Sequence, residues 1–180
     1  MIVADGVGGR SGGAEASELL VQCVAGHFRD TTGEVSDLDC VSLLERIDRI
    51  LWEDRLAGET TAVLAVVTPE AIVGASVGDS DAYLILPDRE YALTHNRRKP
   101  YLGYGAAAAE PFNAELGDGV LLLASDGLWK YADLGRVLSI ARTPSLSLEA
   151  MAAALIDAAR LPNGALWDDV SVALCRRSHA

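Results

Sequence analysis

Positive charge is scarce in this sequence: fifteen Lys and Arg stand against twenty-six Asp and Glu, a formal charge of −11 at pH 7. That balance argues against nucleic acid or an anionic membrane as a partner and is compatible with a carboxylate-lined cation site. Apolar runs such as 120–124 are far too short to cross a bilayer. No basic stretch precedes an apolar one at the start, so no secretory signal is expected. The three cysteines, Cys23, Cys40 and Cys175, fit neither a zinc ligand pattern nor a disulfide framework, which points to a reducing cytoplasm. His27, His95 and His179 are equally scattered. His27 falls on the apolar stripe of its segment and is expected to pack there, and His179 is expected to fray. Neither a Ser-His nor a Cys-His pair stands out.

Glycine and aspartate are present where they matter. The first seventeen residues run three apolar positions into Asp5, then five glycines within eight positions, then a helical pattern. This reads as a strand that stops, a tight turn and a helix start, with the Asp5 carboxylate at the open end of the strand. A dinucleotide-type phosphate loop is the first alternative. Ser11 occupies the place of its third glycine, and an acid at the first turn position would repel a pyrophosphate. An anionic strand end suits a metal better.

Along the chain, residues 14–28 and 40–56 carry apolar stripes at helical spacing, separated by a polar loop, with Gly58 as the stop of the second. Residues 60–67 and 71–77 are rich in β-branched side chains and joined by Thr68-Pro69-Glu70, a hairpin signal. A turn at 78–81 leads to a strand at 82–86 and a short one at 91–93. Residues 94–115 show no clean period and read as a loop-rich insertion. A buried strand over 121–124 ends at Ser125-Asp126-Gly127. Helices are predicted over 133–141 and 148–160, the second capped by Ser147, and a last strand over 170–175. With no repeat and no linker, residues 1–180 read as one domain of helices packed on largely antiparallel sheet.

Four aspartates share one architectural position. Asp5, Asp79 and Asp126 each close an apolar strand, and Asp168 immediately precedes one. Asp118-Gly119, by contrast, reads as an ordinary turn. Carboxylates gathered at strand ends repel one another and imply cations between them. An all-oxygen ligand set favours Mg²⁺ or Mn²⁺ over zinc. The stretch Gly74-Ala-Ser76-Val-Gly78 matches a serine-hydrolase nucleophile elbow in letters only. That motif requires a helix after the turn, and here another strand follows.

These motifs together resemble the metal-dependent protein serine/threonine phosphatases of the PPM family, the type 2C phosphatases, in a bacterial form. Val3-Ala-Asp5-Gly6-Val-Gly8-Gly9, Gly58-Glu-Thr60-Thr61-Ala62, Gly78-Asp79-Ser80-Asp81-Ala82-Tyr83, Leu123-Ala-Ser125-Asp126-Gly127-Leu128-Trp129 and Asp168-Asp169-Val170-Ser171-Val172 are similar to its five motifs, in family order. The resemblance implies an α+β fold, a four-layer α-β-β-α sandwich of two antiparallel sheets flanked by helices. It also implies two divalent cations, Mn²⁺ or Mg²⁺, bridged by Asp5. Asp126 and Asp168 complete the first ion, the Gly6 carbonyl touches the second, and Asp79 is an outer or third-ion ligand. The implied reaction is hydrolysis of phosphoserine or phosphothreonine in a phosphorylated protein by metal-activated water, opposite a cognate kinase.

The family opens with a strand bearing a basic residue for the phosphate and an acidic pair for the second metal. Met1 stands directly before the V-A-D-G strand, so that element is expected to be missing. Asp81 replaces the usual arginine and Asp169 the usual asparagine, and the 94–115 segment is shorter than the family's flap. Strand 2–4 is then expected to be covered by a homodimer contact, by rearrangement of the N-terminus, or by a partner. Two functional readings follow: a phosphatase, with the missing strand impairing activity, or a non-catalytic binding module that keeps the fold.

Overall fold

The computed structural model describes residues 1–8, 12–31, 33–54, 58–95 and 100–177. The expectations at Gly9, Ser11 and His179 lie outside them. The strands are β1 (Ile2–Val3), β2 (Ala62–Val67), β3 (Ile72–Val77), β4 (Asp81–Ile85), β5 (Glu90–Ala92), β6 (Glu110–Ala114), β7 (Val120–Ala124) and β8 (Val172–Arg176). The helices are α1 (Gly13–Asp30), α2 (Asp37–Glu53), α3 (Asp126–Tyr131), α4 (Leu134–Ala141) and α5 (Leu148–Ala158). Two antiparallel sheets form, ordered β1-β2-β3-β6 and β5-β4-β7-β8.

The strand sequences explain the layering. On β2, Val63 and Ala65 face the second sheet, while Ala62 and Leu64 face α1 and α2. On β7, Leu121 and Leu123 face the first sheet, while Val120, Leu122 and Ala124 lie under α3, α4 and α5. Both strands are buried on both sides and read as continuous apolar runs rather than as alternation. The helices close the outer faces with Leu20, Leu44, Ile47 and Leu51 on one side and Val137, Met151 and Leu155 on the other. The result is the expected α-β-β-α sandwich. The link Gly78-Asp79-Ser80 does not make a hairpin but carries the chain from the first sheet to the second, with Gly78 at φ 97°.

The structure departs from the sequence expectations in three places. The stretch read as a loop over 94–115 contains β6, which pairs with β3 at the sheet edge, where Pro111 is tolerated. One buried apolar residue, Phe112, is too little to announce a strand. Helix α2 begins before residue 40 because Ser36 and Asp39 cap each other's main chain reciprocally. The six residues after Ser125 form α3, a helix too short to show a period. Asp118 does lie in a turn, closed by Gly119 N donating to the Leu116 carbonyl at 3.1 Å. Ser76 lies within β3, with the Gly78 link and β4 after it rather than a helix.

Phe112 docks β6 by filling the space that Gly74 leaves on β3. A Cβ at Gly74 would stand 2.3 Å from the Phe112 ring and 2.3 Å from the Leu64 carbonyl oxygen. Gly74→Ala is therefore expected to destabilise the chain by about 1–3 kcal/mol through overpacking. Urea unfolding checks this, and an unchanged midpoint would show that neither the Phe112 ring nor the Leu64 main chain constrains this position.

Candidate metal centre

The strand-end aspartates come together. Asp5 follows β1, Asp79 sits in the link between the sheets, Asp126 opens α3 directly after β7, and Asp168 lies just before β8. Burial, then the charges of Asp126, Asp168, Asp79 and Asp169, push the Asp5 carboxyl up to about 6. Asp79 is buried and also raised, first by desolvation and then by Asp126, against the opposing pull of Lys130. Gly6 forms an isolated bridge with Thr60 and shares the wall of a cavity of about 700 Å³ with Asp5, Glu15 and Asp169. Asp79, Asp126 and Asp168 act on Asp5 from outside that wall.

Glycines allow the main chains to cross here. A Cβ at Gly6 would stand 2.2 Å from the Gly13 carbonyl oxygen, and one at Gly58 2.7 Å from the Gly12 carbonyl carbon. The Gly58 amide donates to the Gly12 carbonyl at 2.7 Å, so the start of α1 lies directly against the end of β1 and the approach to β2.

Hydroxyls complete the clamp. The Asp5 carbonyl accepts from Thr60 Oγ1 at 3.0 Å and from the Thr61 amide at 2.8 Å. The Asp5 amide donates to Thr61 Oγ1 at 3.2 Å, and that hydroxyl meets Ser80 Oγ at 2.7 Å. Asp5 is thereby tied to the link that carries Asp79. On the other sheet, Ser125 Oγ accepts from the Ser171 amide at 3.0 Å and donates to the Asp169 carbonyl at 3.2 Å. A Cβ at Gly127 would stand 2.2 Å from the same Asp169 oxygen. The S-D-G and D-D-x-S motifs are thus two halves of one junction.

Three residues that shape this region were not found by sequence reasoning. Lys130, one turn beyond Asp126, places its ammonium on the Asp126 carboxylate. That hydrogen bond holds it above the usual lysine range. Asp48 on α2 is only 2% exposed and accepts from the Gly103, Gly105 and Ala107 amides at 2.7, 3.1 and 3.0 Å. A lone acid on an apolar stripe, between Leu44 and Leu51, was the available signal. Tyr101, next to that pinned loop, donates to Asp79 Oδ2 at 3.3 Å, and nothing in its sequence context announced it. His27 is half-buried and stacks edge-on against Phe28 at 5.0 Å, as expected of a packed histidine.

The donor set suits a hard divalent cation: the aspartates that act on Asp5 offer only oxygen, and the Asp5 carboxyl is raised first by burial and then by their charges. Among the described residues, no three His, Cys, Asp or Glu side chains are gathered closely enough to form a finished cage. The carboxylates repel one another, and Lys130 engages Asp126.

Residues 1–134 match the family model for protein phosphatase 2C. The chain belongs to that family. A serine/threonine phosphatase stp of Listeria innocua is 32% identical over 106 residues, covering 53% of this chain. The match spans 42% of that relative's own length. The protein phosphatase 2C fold is also seen in serine/threonine phosphatase Stp1 from Staphylococcus aureus, with a TM-score of 0.86 and 20% identity over 99% of this chain and 83% of that one. The catalytic domain of the phosphatase PstP, solved in complex with two manganese ions, superposes with a TM-score of 0.81 and 22% identity over 96% of this chain and 84% of that one.

Two expected outcomes follow from this protein phosphatase 2C site. Folded Asp5 holds its proton to about pH 6, whereas its ordinary value is 3.8. Its contribution to stability is therefore complete below 3.8 and is lost as pH rises through about 6. In EDTA at pH 7.5, Asp5→Asn should be more stable than wild type by about 1 kcal/mol, since the half-exposed site is screened. The advantage should vanish near pH 4, and a pH-independent difference in urea midpoints would refute the shift. Asp48→Ala leaves three amides without their acceptor, of which the Ala107 bond is buried and the other two part-buried, and should cost about 1–3 kcal/mol. Hydrogen exchange should show lost protection at Gly103, Gly105 and Ala107, and retained protection there would refute the clamp.

Proposed function

We propose that residues 1–180 act as one metal-dependent phosphatase domain that hydrolyses phosphoserine or phosphothreonine in a protein substrate. The electrostatic convergence of Asp79, Asp126 and Asp168 on the half-buried Asp5, in a chain of the protein phosphatase 2C family, carries this reading. Asp5, Asp126 and Asp168 would hold Mn²⁺ or Mg²⁺, with the Gly6 carbonyl beside them and Asp79 as an outer ligand. When bound, such cations lower the pKa of a coordinated water so that it can attack phosphorus.

The chain's own groups orient and exclude. Thr60 and Thr61 fix the Asp5 main chain, and Ser125 fixes the Asp168–Asp169 segment to the start of α3. Side-chain nucleophiles find little support. Ser76 is buried within β3, and burial pushes the buried Cys40 thiol up to about 11. A cytoplasmic setting and a cognate protein kinase that supplies the phosphorylated substrate accord with this chemistry. The β1 edge, paired among the described residues with β2 alone, is a surface that a homodimer contact or a partner would cover.

Mn²⁺-dependent turnover of a phosphothreonine peptide tests the reading. Asp126→Asn should reduce turnover by about 100-fold or more, the scale of losing one charge-stabilising group. Binding of Mn²⁺ by calorimetry without turnover would favour the non-catalytic binding module instead.

A further inference from the structure

The principal charges acting on Asp5 and Asp79 are carboxylates, with one exception. Lys130 pairs with Asp126, and its charge is also felt by Asp79 and Asp168. The pair is not a loose surface contact, because the Asp126 side chain is only 14% exposed. Helix α3 fixes its geometry: the two residues are one turn apart, and Asp126 follows immediately on β7. The ammonium sits on Asp126 Oδ2, so a divalent cation binding there must share the carboxylate with it, at reduced negative charge, or displace it. An anionic ligand brought among several carboxylates also needs positive charge close by. The lining of the cavity beside Asp5 offers no Lys or Arg among the described residues.

We propose that Lys130 is a second functional cation of this site, which competes with the divalent ion for Asp126 and, once displaced, binds the phosphate group of the ligand. The proposal rests on the phosphatase reading for the identity of both ligands. The flexible four-carbon stem of lysine suits a group that changes partners, where the planar fork of arginine would favour one. Metal and ammonium are then linked: whatever Lys130 contributes by holding Asp126 is subtracted from the affinity for the cation, and the coupling is reciprocal.

The test uses the full chain and its Lys130→Met variant, with titrations of Mn²⁺ and then of inorganic phosphate into the Mn²⁺-loaded proteins. The variant is expected to bind Mn²⁺ about tenfold more tightly, and phosphate about tenfold more weakly, as expected for a lost charge-assisted contact. Melting supplies a second readout. In EDTA the variant should melt below wild type, and saturating Mn²⁺ should close the gap because its binding stabilises the variant more. A structural defect would instead lower both affinities together and leave the melting gap constant, which overturns the proposal. Equal Mn²⁺ affinities overturn it as well. Absence of Mn²⁺ binding by either protein would overturn the metal-dependent reading itself, and the competition with it.

Discussion

Close crossing of main chains at Gly6, Gly12, Gly13 and Gly58 is the constraint on which the rest of this structure depends. Any side chain at Gly6, Gly13 or Gly58 would drive apart the end of β1, the start of α1 and the approach to β2. With those segments in contact, Thr60 and Thr61 can hold the Asp5 main chain on both sides, and Ser80 can tie the inter-sheet link to the same point. The first carboxylate is thus positioned by backbone geometry, while its side chain stays free to face a ligand.

The electrostatics run against the folding. Burying Asp5 and gathering four more carboxylates around it is unfavourable, and the raised carboxyl is the direct sign of that cost. The fold tolerates it because the side chains stand apart and because Lys130 neutralises Asp126. A site arranged in this way holds its charges in tension. Its backbone is tied by hydrogen bonds, while its carboxylates lie within reach of one another's charge.

Much of this was legible in the sequence because strand ends leave strong marks. Continuous apolar runs that stop at Asp126 and near Asp79 gave both the sheets and the acids, since a strand buried on both faces has no polar position until it ends. Five short motifs in family order then supplied the pairing of sheets that periodicity cannot give. What escaped was whatever depends on a single side chain meeting a distant backbone. Strand β6 rests on Phe112 lying over Gly74 across the sheet. Asp48 was not singled out, because its role depends on three amides of a loop more than fifty positions away. Lys130 was not singled out because α3 is too short to be read as a helix from periodicity.

The carboxylates come from both sheets: Asp5 from the end of β1, Asp126 and Asp168 from the ends of β7 and β8, with Asp79 on the strap between. An ion held by all of them would be a non-covalent staple joining residues near the two ends of the chain. Closing so long a loop removes much of the freedom of the unfolded chain, though the gain grows only slowly with loop length. The two sheets would then separate only after the staple opens. Metal supply would in that way set the mechanical unity of the sandwich, so that opening of one sheet and opening of the other become a single event.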